Sequence, residues 1–387
     1  MTSEMTTEMT ADQDRTAFAR SVRAFARDRL AAGALERAHA PGYPWDVAAL
    51  LGEQGLLGLT VPESDGGQGA TLLDAVVAIQ EVGLVCPKSA DVVQAGNFGA
   101  LRTFTEYASN EQKARFLPDL LAGKALLGLA MSEPEAGSAV TDLTTTAERD
   151  GDGYVVNGTK VWSTHSVEAS VYLVYVRFGP GVSGIGSVLV ERGTPGLEVG
   201  KPSTYMSGEQ WSPLYFDSCR IPADNLLLGP GGFKKQIRGF NVERLGNAAR
   251  SLALGRLAFT IARDHVLQRV QFGRPLAEFQ GIQWKFAEVA VALEGAQLLL
   301  DRAARHAAAG LPSAYETSVA KLAANRAGFQ AADEALQVMG AMGYSTETLV
   351  EYCFRRTRGW LIAGGSTEIL KNRIAEDVLG RRFSQRV

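Results

Sequence analysis

Towards the C-terminus, Val242–Arg269, Gln280–Ala309 and Pro312–Met339 run without internal proline and with little glycine. The first alone is long enough for more than about six turns of helix. Rods of this length, rich in Ala, Leu and Glu, are stable when they bury a face on one another, so the pattern predicts an antiparallel helical bundle. Any fold must be built around that block.

The middle of the chain has the opposite texture. Gly153-Tyr154-Val155-Val156, Val171–Val176 and Ser187–Val190 are short β-branched and aromatic runs separated by Gly, Asp, Asn and Pro. That spacing predicts antiparallel strands, and no long helices stand between them to build a parallel sheet. Much of the 42 glycines' excess sits here, where turns need them. Upstream the pattern is helical again, with apolar spacings of three and four in Thr16–Leu30 and Leu72–Val85. Ser109-Asn110-Glu111-Gln112 reads as a capped helix start. The expected class is α+β, in three parts: an N-terminal α-helical domain over 13–124, a central antiparallel β domain over 125–230, and a C-terminal long-helix bundle over 231–387. Residues 1–12 are polar, with no apolar core for a secretory leader, and are expected to be frayed or disordered.

Composition narrows the function. Lys+Arg 39 against Asp+Glu 42 gives a net charge of −3, which leaves no basic excess for a nucleic-acid partner. Three scattered cysteines (Cys86, Cys219, Cys353) and four histidines without paired spacing argue against a disulfide framework or a metal centre, and fit a reducing, cytoplasmic setting. No apolar run is long enough for a membrane span.

Several motifs remain. Gly229–Lys235 lacks P-loop spacing and reads as a turn before a helix. Gly181–Gly186 precedes a strand, so it cannot aim a helix end at a pyrophosphate. Ala130–Ala139 (AMSEPEAGSA) follows the strand-like Leu127-Gly128-Leu129 and offers hydroxyls and N–H groups, as a simple turn or as a ligand loop. Gly158–His165 (GTKVWSTH) places Trp162 in a strand, as core or as a platform for a flat ring. Ile362–Leu370 (IAGGSTEIL) puts Ser366 at a helix start, or forms an anion or carbonyl site from free N–H groups.

These three motifs, in this order across an α-β-α chain, resemble the acyl-CoA dehydrogenase family. Arg269–Gln280 (RVQFGRPLAEFQ) and Leu336–Ser345 (LQVMGAMGYS) are similar to two further family signatures, and the likeness spans Asp14 to Gly380. The resemblance implies FAD, a homotetramer, an acyl-CoA or carrier-tethered acyl substrate from fatty acid or branched-chain metabolism, and a separate electron acceptor such as an electron-transfer flavoprotein. Matched residue by residue, Leu129, Met131, Ser132 and Ser138 belong to the flavin loop, Trp162 and Thr164 to the ring site, and Arg269, Phe272, Gln280, Gln337 and Gly340 to the dinucleotide end, partly across a subunit interface. Ser366 and Glu368 match the last FAD contacts. Asn241, Arg244 and Ser138, with Gly364 and Gly365, match groups around the acyl-CoA.

The reaction so implied removes a proton α to the thioester carbonyl and a hydride from the β carbon. Most of the family carries its base where this chain has Gly364. Other members, of the isovaleryl and long-chain types, carry a Glu before an Arg at the start of the first long bundle helix. Here that dipeptide is Glu243-Arg244, and Glu243 is the expected base. The alternative for Glu243 is a helix-start carboxylate favoured by the macrodipole. Ala139 and Ser163 depart from the family pattern. Two other functions stay open on the same fold: a flavin-dependent oxidase or monooxygenase, and a catalytically silent FAD-binding subunit.

Overall fold

The computed structural model describes residues 2–163, 165–307 and 310–384, with side chains from residue 13 onward. Seven helices come first: α1 (Thr2–Arg29), α2 (Ala34–His39), α3 (Trp45–Glu53), α4 (Leu72–Gly83), α5 (Pro87–Ala95), α6 (Gly99–Tyr107) and α7 (Asn110–Leu121). The backbone is helical from Thr2, where the sequence reads a frayed end, because neither Gly nor Pro interrupts the chain before Gly33. Ser109 caps α7 as expected. Its hydroxyl accepts from Gln112 N at 3.2 Å while the Gln112 side chain accepts from Ser109 N at 3.0 Å.

Strands follow: β1 (Leu127–Ala130), β2 (Thr146–Asp150), β3 (Gly153–Lys160), β4 (Val171–Arg177), β5 (Ile185–Glu191), β6 (Leu197–Val199), β7 (Ser203–Thr204), β8 (Gln210–Trp211), β9 (Leu214–Pro222) and β10 (Leu226–Leu228). The main sheet runs β10-β5-β4-β2-β3-β9-β6, with β7 and β8 as a separate hairpin. One expectation needs correction: β1 pairs with β4 in parallel, and β2 touches β4 in parallel at Thr146–Arg177, so the sheet is mixed. β1 arrives from α7 rather than from a hairpin, so nothing forces it to be antiparallel. Strands β4 and β5 are buried at almost every position, which explains their continuous apolar runs.

The C-terminal block holds α8 (Phe233–Gln268), the short hairpin β11 (Val270–Gln271) and β12 (Arg274–Pro275), then α9 (Gln280–Ala307), α10 (Ala314–Met339), α11 (Ala341–Tyr344), α12 (Val350–Trp360) and α13 (Thr367–Val378). α10 buries Ala320, Ala324, Ala327, Ala331 and Ala335, a stripe at helical spacing. Small residues let it lie close against α8. A Cβ built on Gly255 would sit 2.7 Å from Gly328 Cα, and one on Gly328 would sit 2.3 Å from Ser251 O, so neither helix tolerates a side chain there. α8 is the axis of the molecule, with buried residues on most of its faces from Gln236 to Val266. It packs on α4, α5 and α6 as well as on the bundle, and so faces both helical domains.

Candidate active site

Two glycines border α8, and one carboxylate is buried on it. The helix begins at Phe233, so Glu243 lies about three turns inside it. That corrects the expected helix-start position and removes the macrodipole as its reason, because that field fades within the first turn. Gln94 Nε2 of α5 donates to Glu243 Oε1 at 2.5 Å, and Arg250 Nη2 lies 3.8 Å from the same oxygen. The other oxygen, Oε2, faces the start of α6, 3.1 Å from where a Cβ on Gly99 would lie. The Glu243 side chain is 17% exposed. Burial pushes its pKa up, against the opposing pull of Arg250, the Gln94 hydrogen bond and Lys321.

The loop after α12 closes the other side. Lys321 Nζ donates to Trp360 O at 3.1 Å and Gly365 O at 3.0 Å, and burial lowers its pKa to about 7. Gly364 has φ +74, and a Cβ there would stand 3.2 Å from Lys321 Cε and 3.7 Å from Asn247 Nδ2 of α8. A Cβ on Gly365 would lie 3.8 Å from Arg244 Nη2. The structure therefore sets Gly364 against Lys321 and Asn247 and Gly365 against Arg244, with Lys321 also acting on the Glu243 charge. Arg244 Nη1 donates to Asn241 Oδ1 at 3.0 Å, which adds the remaining α8 candidate. Ser366 caps α13 by accepting from Ile369 N at 3.4 Å, and Glu368 is exposed on its first turn.

On the β domain, the loop after β1 is fixed from within. Glu133 accepts from Thr144 N and Oγ1 at 2.6 and 2.8 Å, from Thr145 N and Oγ1 at 2.9 and 2.6 Å, and from Lys160 Nζ at 2.8 Å. Burial alone would raise the Glu133 pKa, but Lys160 and these hydrogen bonds bring it to about 2. Burial lowers Lys160 to about 8, partly offset by Glu133, so both are charged at neutral pH. Lys160 Nζ also donates to Met131 O at 3.1 Å, and Val161 N donates to Ser132 O at 2.9 Å. Leu129, Met131 and Ser132 are thereby held half-buried, with Ser138 exposed further along.

Trp162 is not in a strand, as its sequence context suggests. β3 ends at Lys160, and Trp162 follows in a bend at φ 58, 57% exposed. A bulky residue in that backbone region is strained and is retained where the side chain is needed in one place. Its indole lies 4.1 Å from the Trp211 ring and 6.1 Å from Tyr205. Thr164 lies outside the described residues. Arg269, Phe272, Gln280, Gln337 and Gly340 are all exposed, the first three in or beside the β11–β12 hairpin and the last two at the end of α10. Phe272 is 95% exposed at φ 51. Among the described residues, no hydrogen bond or ring contact joins this group to Trp162 or Glu243.

Sequence profiles decide what this arrangement belongs to. That of the acyl-CoA dehydrogenase N-terminal domain matches residues 12–124, that of the middle domain 128–219, and that of the C-terminal domain 230–379. The chain belongs to the acyl-CoA dehydrogenase family. A 3-sulfinopropanoyl-CoA desulfinase of Paraburkholderia xenovorans is 34% identical over 374 residues, 95% of this chain and 96% of its own. The mitochondrial short-chain specific acyl-CoA dehydrogenase of Homo sapiens is 35% identical over 342 residues, 87% and 83% of the two chains. The butyryl-CoA dehydrogenase structure from Megasphaera elsdenii superposes with a TM-score of 0.88 at 29% identity, covering 94% of this chain and 98% of that one.

As a member of this oxidoreductase family of flavoproteins, the chain should offer a surface for a flat ring, and it does. Trp162, Trp211 and Tyr205 present a partly open aromatic face, and the buried Ser163 hydroxyl beside it has no partner among the described residues. Sequence reasoning missed Asp91, Gln94, Arg250, Lys321 and the Glu133–Lys160 pair. Arg250 carried a usable signal, since it stands seven residues after Glu243 and therefore on the same helix face. Among the described residues there is no cluster that could hold a metal ion, and no helix is long and apolar enough to cross a membrane.

Proposed function

We propose that this acyl-CoA dehydrogenase uses FAD to convert an acyl-CoA thioester into its trans-2-enoyl product, with Glu243 as the base. The observation that carries the reading is the burial of the Glu243 carboxylate on α8 between Gln94 and Arg250, with Gly364 and Gly365 set against Asn247 and Arg244 of the same helix. A weakly acidic α proton needs a desolvated carboxylate to receive it and a donor to stabilise the carbonyl oxygen as charge develops. Glu243 supplies the first, with a pKa raised by burial. The Gly364 N–H supplies the second. At Gly364 a glutamate would need φ +74 and would press on Lys321, so the base belongs on α8. Asn241, Arg244 and Ser138 would receive the CoA side. Leu129, Met131, Ser132, Trp162 and Thr164 would hold the ring, and Arg269, Phe272, Gln280, Gln337, Gly340, Ser366 and Glu368 the rest of the FAD. When bound, the flavin supplies the acceptor for the β hydride.

The test is anaerobic mixing of the flavin-loaded protein with acyl-CoA esters of varied length and branching. Bleaching of the flavin absorbance with formation of the enoyl ester is the expected result, and an electron-transfer flavoprotein should restore the colour. Peroxide formed in step with turnover would instead make it an oxidase. Loss of the sulfinate group from 3-sulfinopropanoyl-CoA without bleaching would align it with the desulfinase relatives. No reaction with any ester despite full flavin loading would make it a silent subunit.

Assembly into the homotetramer is supported by α9. Trp284, Val291 and Leu298 recur every seven residues on that helix and are 60%, 75% and 70% exposed. Such a stripe is normally covered by another chain. Light scattering should give a mass of several chains, and Val291→Asp should lower it; a monomeric wild type would refute the assembly. The three cysteines are buried and unpaired, which supports a reducing, cytoplasmic setting.

A further inference from the structure

Beyond the base, the face of α8 that carries Glu243 turns charged rather than apolar. Asn247 follows one turn later and Arg250 two turns later. Arg250 Nη1 donates to Asp91 Oδ1 of α5 at 2.7 Å. Arg356 of α12 donates to Asp91 Oδ2 at 2.7 Å and also reaches Glu209. The two guanidiniums lie 4.8 and 5.1 Å from the centroid of the Trp360 ring. Asp91, Arg250 and Arg356 are 6%, 8% and 4% exposed.

Direction along the helix matters here. On the reading above, the CoA side lies at Asn241 and Arg244, so an acyl chain passing Glu243 continues towards Arg250 and Asp91. The Arg250 guanidinium stands only 3.8 Å from the base. An extended alkyl tail would therefore abut an already buried charged cluster and offer its donors no acceptor, which is unfavourable. The cluster is also incompletely satisfied. Asp91 accepts from both arginines, yet Arg250 Nε and Arg356 Nε are buried with no partner among the described residues. Two unmet donors on nine-tenths-buried guanidiniums ask for an acceptor, and a guanidinium's fork matches a carboxylate.

We propose that this site takes a short acyl thioester whose far end carries an oxygen acceptor, a carboxylate foremost, and that Arg250, backed by Arg356, determines that choice. The proposal rests on the assignment of the thioester side given above. It predicts that chain ends, rather than chain length alone, set which ester is used.

The experiment compares esters of equal carbon count on the flavin-loaded protein: butyryl- with succinyl-CoA, and pentanoyl- with glutaryl-CoA. Anaerobic bleaching gives the rate, and calorimetry gives Kd. The acid-ended ester should be favoured about tenfold or more in rate over Kd, because a site built around buried donors rejects the analogue that leaves them unpaired. Arg250→Met should bring that ratio to about one or invert it. Arg356→Gln should lower it, and serves alone if Arg250→Met fails to fold or to hold flavin. A wild type that favours the alkyl esters, or a ratio unchanged in the folded variants, overturns the proposal. If no ester bleaches the flavin, the dehydrogenase reading fails and the Kd ratio alone decides this one. If none binds, both fail.

Discussion

Replacing Glu243 by Gln leaves a protein that keeps its flavin and bleaches it with acyl thioester about a hundred- to ten-thousand-fold more slowly. The substitution nearly preserves shape. Gln94 can still donate to the new amide oxygen, and Arg250 keeps its 2.7 Å bond to Asp91, so the junction has no reason to rearrange. What disappears is the oxygen that accepts the proton. A pH series separates this from a general loss of fit. Burial raises the Glu243 pKa above its ordinary 4.5, so the group holds its proton, and cannot act, as pH falls through that raised value. Wild-type bleaching should therefore rise with pH on an acid limb above the ordinary carboxylate range, and the variant should lack that limb. A variant with near-normal rates and the same limb places the base elsewhere.

Lys160→Met is the second large effect, and it acts away from the chemistry. The Lys160 and Glu133 side chains are 0% and 4% exposed. Removing the lysine leaves an ionised carboxylate buried against Thr144 and Thr145, a change that typically costs about 3–5 kcal/mol. The same nitrogen holds Met131 O, so the loop proposed to hold the flavin should loosen. The expected result is a lower denaturation midpoint together with a weaker flavin Kd. Equal stability and flavin retention would mean that the pair neither stabilises the domain nor orders the loop.

Much of the architecture was legible because it rests on local rules. Periodicity located α4, α8, α9 and α10, and the cap at Ser109 placed the start of α7. The parallel seat of β1 was not legible, since a four-residue apolar run carries no information about which neighbour it pairs with. The return to helix at about Phe233 was legible, but the long rod was begun at Val242, nine residues late, because Phe233–Asn241 mixes lysines, glycine and aromatics without a clear stripe, and its helical state comes from packing. At the site, motif likeness reached Glu243, Arg244 and the glycine pair, and the fold sets that pair against Arg244 and Asn247 of the helix that carries Glu243. It gave no hint of Asp91, Gln94 or Arg356. These come from α5 and α12, and only tertiary contact reveals that a polar residue on an otherwise apolar helix faces α8 rather than water. Trp162 shows the same limit: its left-handed backbone is set by the turn after β3, not by the residue type.

The most direct measurement concerns the proton itself. An acyl thioester carrying sulfur in place of the β carbon cannot lose a hydride, but its α protons can still exchange. Incubated with the flavin-loaded protein in deuterated water and followed by mass spectrometry, this ester should gain deuterium at the α carbon with the wild type and stay at the uncatalysed rate with Glu243→Gln. Exchange at the wild-type rate in the variant would contradict the assignment of Glu243 as the base.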